Sequence, residues 1–126
     1  MKLIRILAIC ALLAGTARLG VAEQNRTWTG SLVDASCYLT DNMQAGNDHM
    51  GMKNCGAECL KMGRPAGLVT ADKKLFVLMA SSPDLAPYVG QTIRVTGKIR
   101  NGSILVDKLE VKRGADWVAV KLSAMM

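Results

Sequence analysis

Gln91-Thr92-Ile93-Arg94-Val95-Thr96-Gly97-Lys98-Ile99-Arg100-Asn101-Gly102-Ser103-Ile104-Leu105-Val106-Asp107-Lys108-Leu109-Glu110-Val111-Lys112 is the stretch on which the fold turns. Ile93, Val95 and Ile99 fall on one parity, and Thr92, Arg94, Thr96, Lys98 and Arg100 on the other. That is the pattern of a half-exposed strand. Asn101-Gly102 is the preferred dipeptide of a type I′ turn, so residues 103–112 are predicted to return as the antiparallel partner. In the returning strand Ile104 and Val106 share one parity while Leu109 and Val111 share the other. A β-bulge near Asp107-Lys108 would restore the buried face and add the bend that a closed sheet needs.

Working outward, Pro83 and Pro87 restrict residues 82–90 to a brief turn of helix. Before it, Gly67-Leu68-Val69-Thr70 and Lys74-Leu75-Phe76-Val77-Leu78-Met79 flank Ala71-Asp72-Lys73 and read as a second hairpin, its second arm buried on both faces and Met79 in the core. Trp28-Thr29-Gly30-Ser31-Leu32-Val33 has strand composition and ends at the turn former Asp34. Trp117-Val118-Ala119-Val120 adds a short edge strand. The order is strand, insert, hairpin, helical turn, hairpin. It predicts a mainly all-β domain, a small five-stranded OB-like barrel with a loop-helix insert after its first strand. An SH3-like barrel or an open five-stranded sheet would give similar signals.

The N-terminus reads as a signal peptide over residues 1–22. Lys2 and Arg5 precede an apolar run from Ile6 to Ala14, and Gly20-Val21-Ala22 supplies small residues for cleavage. The run is too short to span a membrane, which takes about 20 residues, and no later segment approaches that length. Cys10 lies in the leader behind Ile9, where a lipoprotein pattern would have a small residue. Residues 23–126 then form a single domain that is exported, periplasmic or secreted. Loss of Lys2, Arg5 and Arg18 brings the net charge from +6 to +3, and the chain holds only five aromatic residues. A scattered charge of this size with so few stacking rings argues against nucleic acid as a partner.

The insert, residues 36–63, carries the chemistry. Cys37, His49, Cys55 and Cys59 lie within 23 residues, and His49 is the only histidine in the chain. Asn54 as N-cap and Gly63 as C′ residue predict a helix over 55–62 that places Cys55 and Cys59 on one face, within an otherwise irregular segment. Three states of these residues stay open. Three thiolates and an imidazole make a closed tetrahedral Zn²⁺ shell, although spacings of eleven, five and three residues match no common zinc pattern. A disulfide from Cys37 to Cys55 or Cys59 would instead staple a loop of about 20 residues, worth roughly 3 kcal/mol, and leave one thiol free. A Cu⁺ site would add Met50 and Met52 to the same ligands, since thiolates and thioethers select that ion. Met43, Met50, Met52 and Met62 have a plainer role as packing between insert and barrel.

No catalytic set can be assembled. Asp34, Asp41, Asp48 and Glu58 read as solvated carboxylates, no Gly-rich phosphate loop is present, and only Cys55 at a helix start would suit thiol-redox chemistry. The run Trp28 to Asp34, the Cys37, His49, Cys55, Cys59 set and the strands Val95-Thr96-Gly97-Lys98-Ile99 and Ile104-Leu105-Val106 together resemble small secreted bacterial domains of unknown function. The C-terminal strands are also similar to the bacterial OB-fold family of periplasmic proteins. These resemblances imply export and a small β-domain, and no activity. The reading is a monomeric binding or envelope-associated module, not an enzyme, with an unidentified ligand or envelope protein as partner. Metal handling, thiol-redox activity or a disulfide-linked dimer are its alternatives.

Overall fold

The computed structural model describes residues 24–124; the leader expected over residues 1–22 lies outside them. Strands β1 (Arg26–Asp34), β2 (Ala66–Thr70), β3 (Leu75–Met79), β4 (Thr92–Arg100), β5 (Ser103–Arg113) and β6 (Asp116–Ala119) form one sheet in the order β3-β2-β1-β4-β5-β6. A parallel pairing of β3 with β5, Leu78 opposite Ile104 and Met79 opposite Leu105, closes the first five strands into a ring and leaves β6 on its outside. This is an OB-like, mostly antiparallel β fold, as the sequence predicts.

The ring closes because two strands bend at defined points. β1 pairs with β4 through Arg26–Ser31 and with β2 through Gly30–Asp34, so it turns from one neighbour to the other at Gly30-Ser31. A Cβ on Gly30 would sit 2.2 Å from the Val69 carbonyl oxygen, closer than any side-chain carbon can come. The second bend is the expected bulge: Thr96 faces Lys108 while Gly97 faces Val106, which leaves Asp107 as the extra residue of β5. Here too a side chain is forbidden, because a Cβ on Gly97 would lie 2.0 Å from the Leu105 oxygen. The β4–β5 turn has Asn101 at φ 48 and Gly102 at φ 79, both in the left-handed region that a type I′ turn requires.

Leu32, Leu68, Phe76, Leu78, Ile93, Val95, Ile104, Leu109 and Val111 fill the interior of the ring. Short helices complete this core. Among the described residues α1 spans Ala35–Thr40, α2 spans Cys55–Lys61, and α3 (Ser82–Leu85) runs into a 3₁₀ turn over Ala86–Tyr88 between β3 and β4. Leu60 of α2 and Leu85 of α3 are fully buried in the same cluster, so the insert is part of the core and not an appendage. No helix among the described residues is long and apolar enough to cross a membrane.

Three expectations need correction. The insert opens with a helix, α1, where the composition suggested loop. Met79 is 46% exposed, and β3 is buried on one face only, because Phe76 and Leu78 point inward while Met79 closes the strand on the outside. Ile99, next to last in β4, is 37% exposed although Ile104 opposite it is fully buried.

Candidate metal centre

Asp34 ends β1 and caps α1. Its Oδ1 accepts the Cys37 backbone N–H at 2.9 Å, which fixes the first turn and sets the Cys37 side chain inward, 7% exposed. Cys55 opens α2 and Cys59 follows one turn later on the same face, each 8% exposed. The helix ends as predicted at Gly63, φ +85, in a Schellman motif: Gly63 N–H donates to Leu60 O at 2.9 Å and Arg64 N–H to Cys59 O at 3.1 Å.

Its start is built differently from the expectation. Asn54 lies in the left-handed region and makes no side-chain cap bond. The capping group is Asn47, whose Oδ1 accepts Ala57 N–H at 2.8 Å and whose carbonyl accepts Gly56 N–H at 3.0 Å. Asn47 Nδ2 donates to Asn54 Oδ1 at 3.0 Å, and Asp48 Oδ1 accepts Asn54 N–H at 2.7 Å. These bonds pin residues 47 and 48 against α2 and deliver His49 beside its first turn. A tight turn with Met50 at φ 56 and Gly51 at φ 73 reverses the chain there, closed by Met52 N–H donating to His49 O at 3.1 Å. His49 is therefore buried, 6% exposed.

These elements bring two groups of donors together. The ligand atoms of Cys37, His49 and Cys55 lie within 4.8 Å of one another, and so do those of Asp34, Cys37 and Cys59. Either group could hold a metal ion, and Cys37 belongs to both. The three cysteines are free and packed together, with Cys37 Sγ 4.0 Å from Cys59 Sγ, twice the length of a disulfide bond. His49 Nδ1 and Asp34 Oδ2 are buried without a hydrogen-bond partner. Burial, then the adjacent Asp34 carboxylate and the contact with Cys59, push the Cys37 thiol up to about 12. Cys59 is raised as well, first by burial and then by the neighbouring Asp34 carboxylate. Without a cation the pocket therefore disfavours the thiolates of Cys37 and Cys59 and leaves His49 Nδ1 and Asp34 Oδ2 unsatisfied. A bound metal ion would supply the missing charge and displace the thiol protons.

The predicted residues fall in two adjoining groups and not in one: His49 and Cys55 share a group with Cys37, and Cys59 shares the other with Cys37 and with a residue that the sequence reading missed. Asp34, read as a solvated turn former, is 1% exposed and faces Cys37 and Cys59. Its place three residues before Cys37 is the spacing of an N-cap to its N3 amide, the one trace it leaves in the sequence. The insert methionines do not fill a gap between insert and ring: Met43, Met50, Met52 and Met62 are 60%, 65%, 53% and 75% exposed. Compared with known proteins, the chain matches no family model, no curated protein and no solved structure.

Proposed function

We propose that the protein is an exported binding or envelope-associated module in which a zinc ion held by Cys37, His49, Cys55 and Cys59 fastens the insert to an OB-like ring. The observation that carries this reading is a cluster of three buried free thiols, two of which, Cys37 and Cys55, lie within 4.8 Å of a buried imidazole whose Nδ1 has no partner, while Cys59 packs against Cys37. The spacing suits the ion. Zinc–sulfur bonds of about 2.3 Å in a tetrahedron put two sulfurs about 3.8 Å apart, and Cys37 and Cys59 are 4.0 Å apart. Zinc fits better than copper, because the nitrogen and sulfur donors already number four while Met50 and Met52 stand exposed on the outer turn.

The role of the ion is structural on this reading. Its ligands come from α1, the 47–49 segment and α2, three pieces of chain that little regular structure joins. A closed four-ligand shell would link them and order the helix that carries Leu60 into the core. The ring surface remains for an unidentified ligand or envelope protein, since recognition lives in sites grafted on a fold. Export rests on Lys2, Arg5, the apolar run and Gly20-Val21-Ala22.

Metal analysis and a thiol count on protein purified from the periplasm without chelator test both parts. One equivalent of zinc, three titratable thiols and a chain beginning at Glu23 are expected. Absence of metal together with one thiol and a mass two hydrogens light would replace zinc by a disulfide staple.

A further inference from the structure

The zinc reading uses four donors, and the pocket holds five. Asp34 is 1% exposed, and only one of its oxygens is occupied, Oδ1 by the Cys37 N–H. Capping α1 requires no more than that single oxygen. Oδ2 is buried without a partner beside Cys37 and Cys59, in a setting where an unpaired carboxylate oxygen is costly. The two sides of the centre are also anchored differently. Asp34 is paired in the ring opposite Ala66 of β2. His49 arrives on the turn that carries the exposed Met50 and Met52.

We propose that Asp34 is a direct metal ligand that gives the ion a second seat, Asp34/Cys37/Cys59, adjoining Cys37/His49/Cys55 and sharing Cys37 with it. The ion rests on the second seat when His49 is withdrawn. A centre with a spare anionic donor on its rigid side can open its loop side without losing the metal, so an incoming thiolate or imidazole from another molecule can occupy the place His49 leaves. This deepens the zinc reading and rests on it: the ion would be exchangeable through one face and not sealed in.

The test compares zinc affinity, by competition with a chromophoric chelator, for the wild-type protein and for His49→Ala, Asp34→Asn and the double variant. Cobalt(II) absorption reports the number of thiolates on the ion in each. Asparagine caps a helix as well as aspartate, so Asp34→Asn keeps the bond to Cys37 N–H and removes the anionic donor; far-UV circular dichroism checks that each variant folds. His49→Ala should still bind one equivalent. Asp34→Asn should then weaken binding on the order of a hundredfold in the His49→Ala background and far less in the wild type. A His49→Ala protein that binds no zinc overturns the second seat, as does an Asp34→Asn effect that is absent or equal in both backgrounds. A wild-type protein that binds no zinc overturns the zinc reading as well.

Discussion

Cys37 Sγ and Cys59 Sγ face each other across 4.0 Å inside the protein, brought there by the N-cap of α1 and the second turn of α2. The separation suits two ligands of one ion, and a small rotation of either side chain would suit a disulfide. Mild oxidation of the metal-free protein should therefore join Cys37 to Cys59 and leave Cys55 free, with loss of zinc binding. Peptide mapping after alkylation reads the pairing, and a bond from Cys37 to Cys55 would contradict this geometry.

Asn47→Ala should destabilise the domain by about 1 to 2 kcal/mol, because it removes the side-chain acceptor of Ala57 N–H at the start of α2. It should weaken zinc binding too, since the same bond holds the segment that delivers His49. Urea unfolding of the metal-free protein separates the two effects. Asn54→Ala, at the position that looked like the cap, should cost less.

Gly30→Ala and Gly97→Ala should each cost about 3 kcal/mol or more, because the added carbon would strike the backbone oxygen of Val69 or Leu105, which no rotamer change can relieve. Gly63→Ala meets nothing within 4 Å and is strained only through its φ of +85, so it should cost about 1 kcal/mol. Equal losses at all three sites would show that the two bends of the ring do not depend on close backbone approach.

Met50→Ser and Met52→Ser, together, should change stability by no more than about 0.5 kcal/mol, since both side chains are mostly exposed. Zinc affinity should be unchanged. A large loss of Cu⁺ affinity in this variant would favour the copper alternative, in which the thioethers bind.

Glu110 lies between Lys108 Nζ at 2.9 Å and Arg94 Nη2 at 2.8 Å, and the Arg94 guanidinium also stacks on Trp117 of β6. The Lys108 bond, followed by Arg94, holds the Glu110 carboxyl below its ordinary value of 4.5. A carboxylate whose pKa is lower in the folded state contributes stability above its unfolded pKa and loses it as pH falls through the folded value. The wild-type advantage over Glu110→Gln should thus be constant near neutrality and shrink below about pH 4.5. Urea midpoints from pH 6 to pH 3 would show it, and a difference that stayed constant to pH 3 would refute it.

What the sequence determined by itself is local or periodic. The alternation of Ile93 and Val95, the Asn101-Gly102 turn and the parity switch at Asp107 specify the β4–β5 hairpin and its bulge, because strand side chains repeat every two residues and an extra residue reverses them. Gly63 ends α2 where a residue of positive φ must stand, and the Cys55 to Cys59 spacing puts both thiols on one face whatever surrounds the helix. The candidate ligands were legible for the same reason: their residue types are few and clustered. Tertiary structure alone decided burial. Asp34 looked like a turn former until the insert folded over it, His49 like a loop residue until Asn47 tied its segment to α2, and Met79 like core until the β3–β5 seam placed it outside. No pattern along the chain records these facts, because each depends on what a distant segment covers.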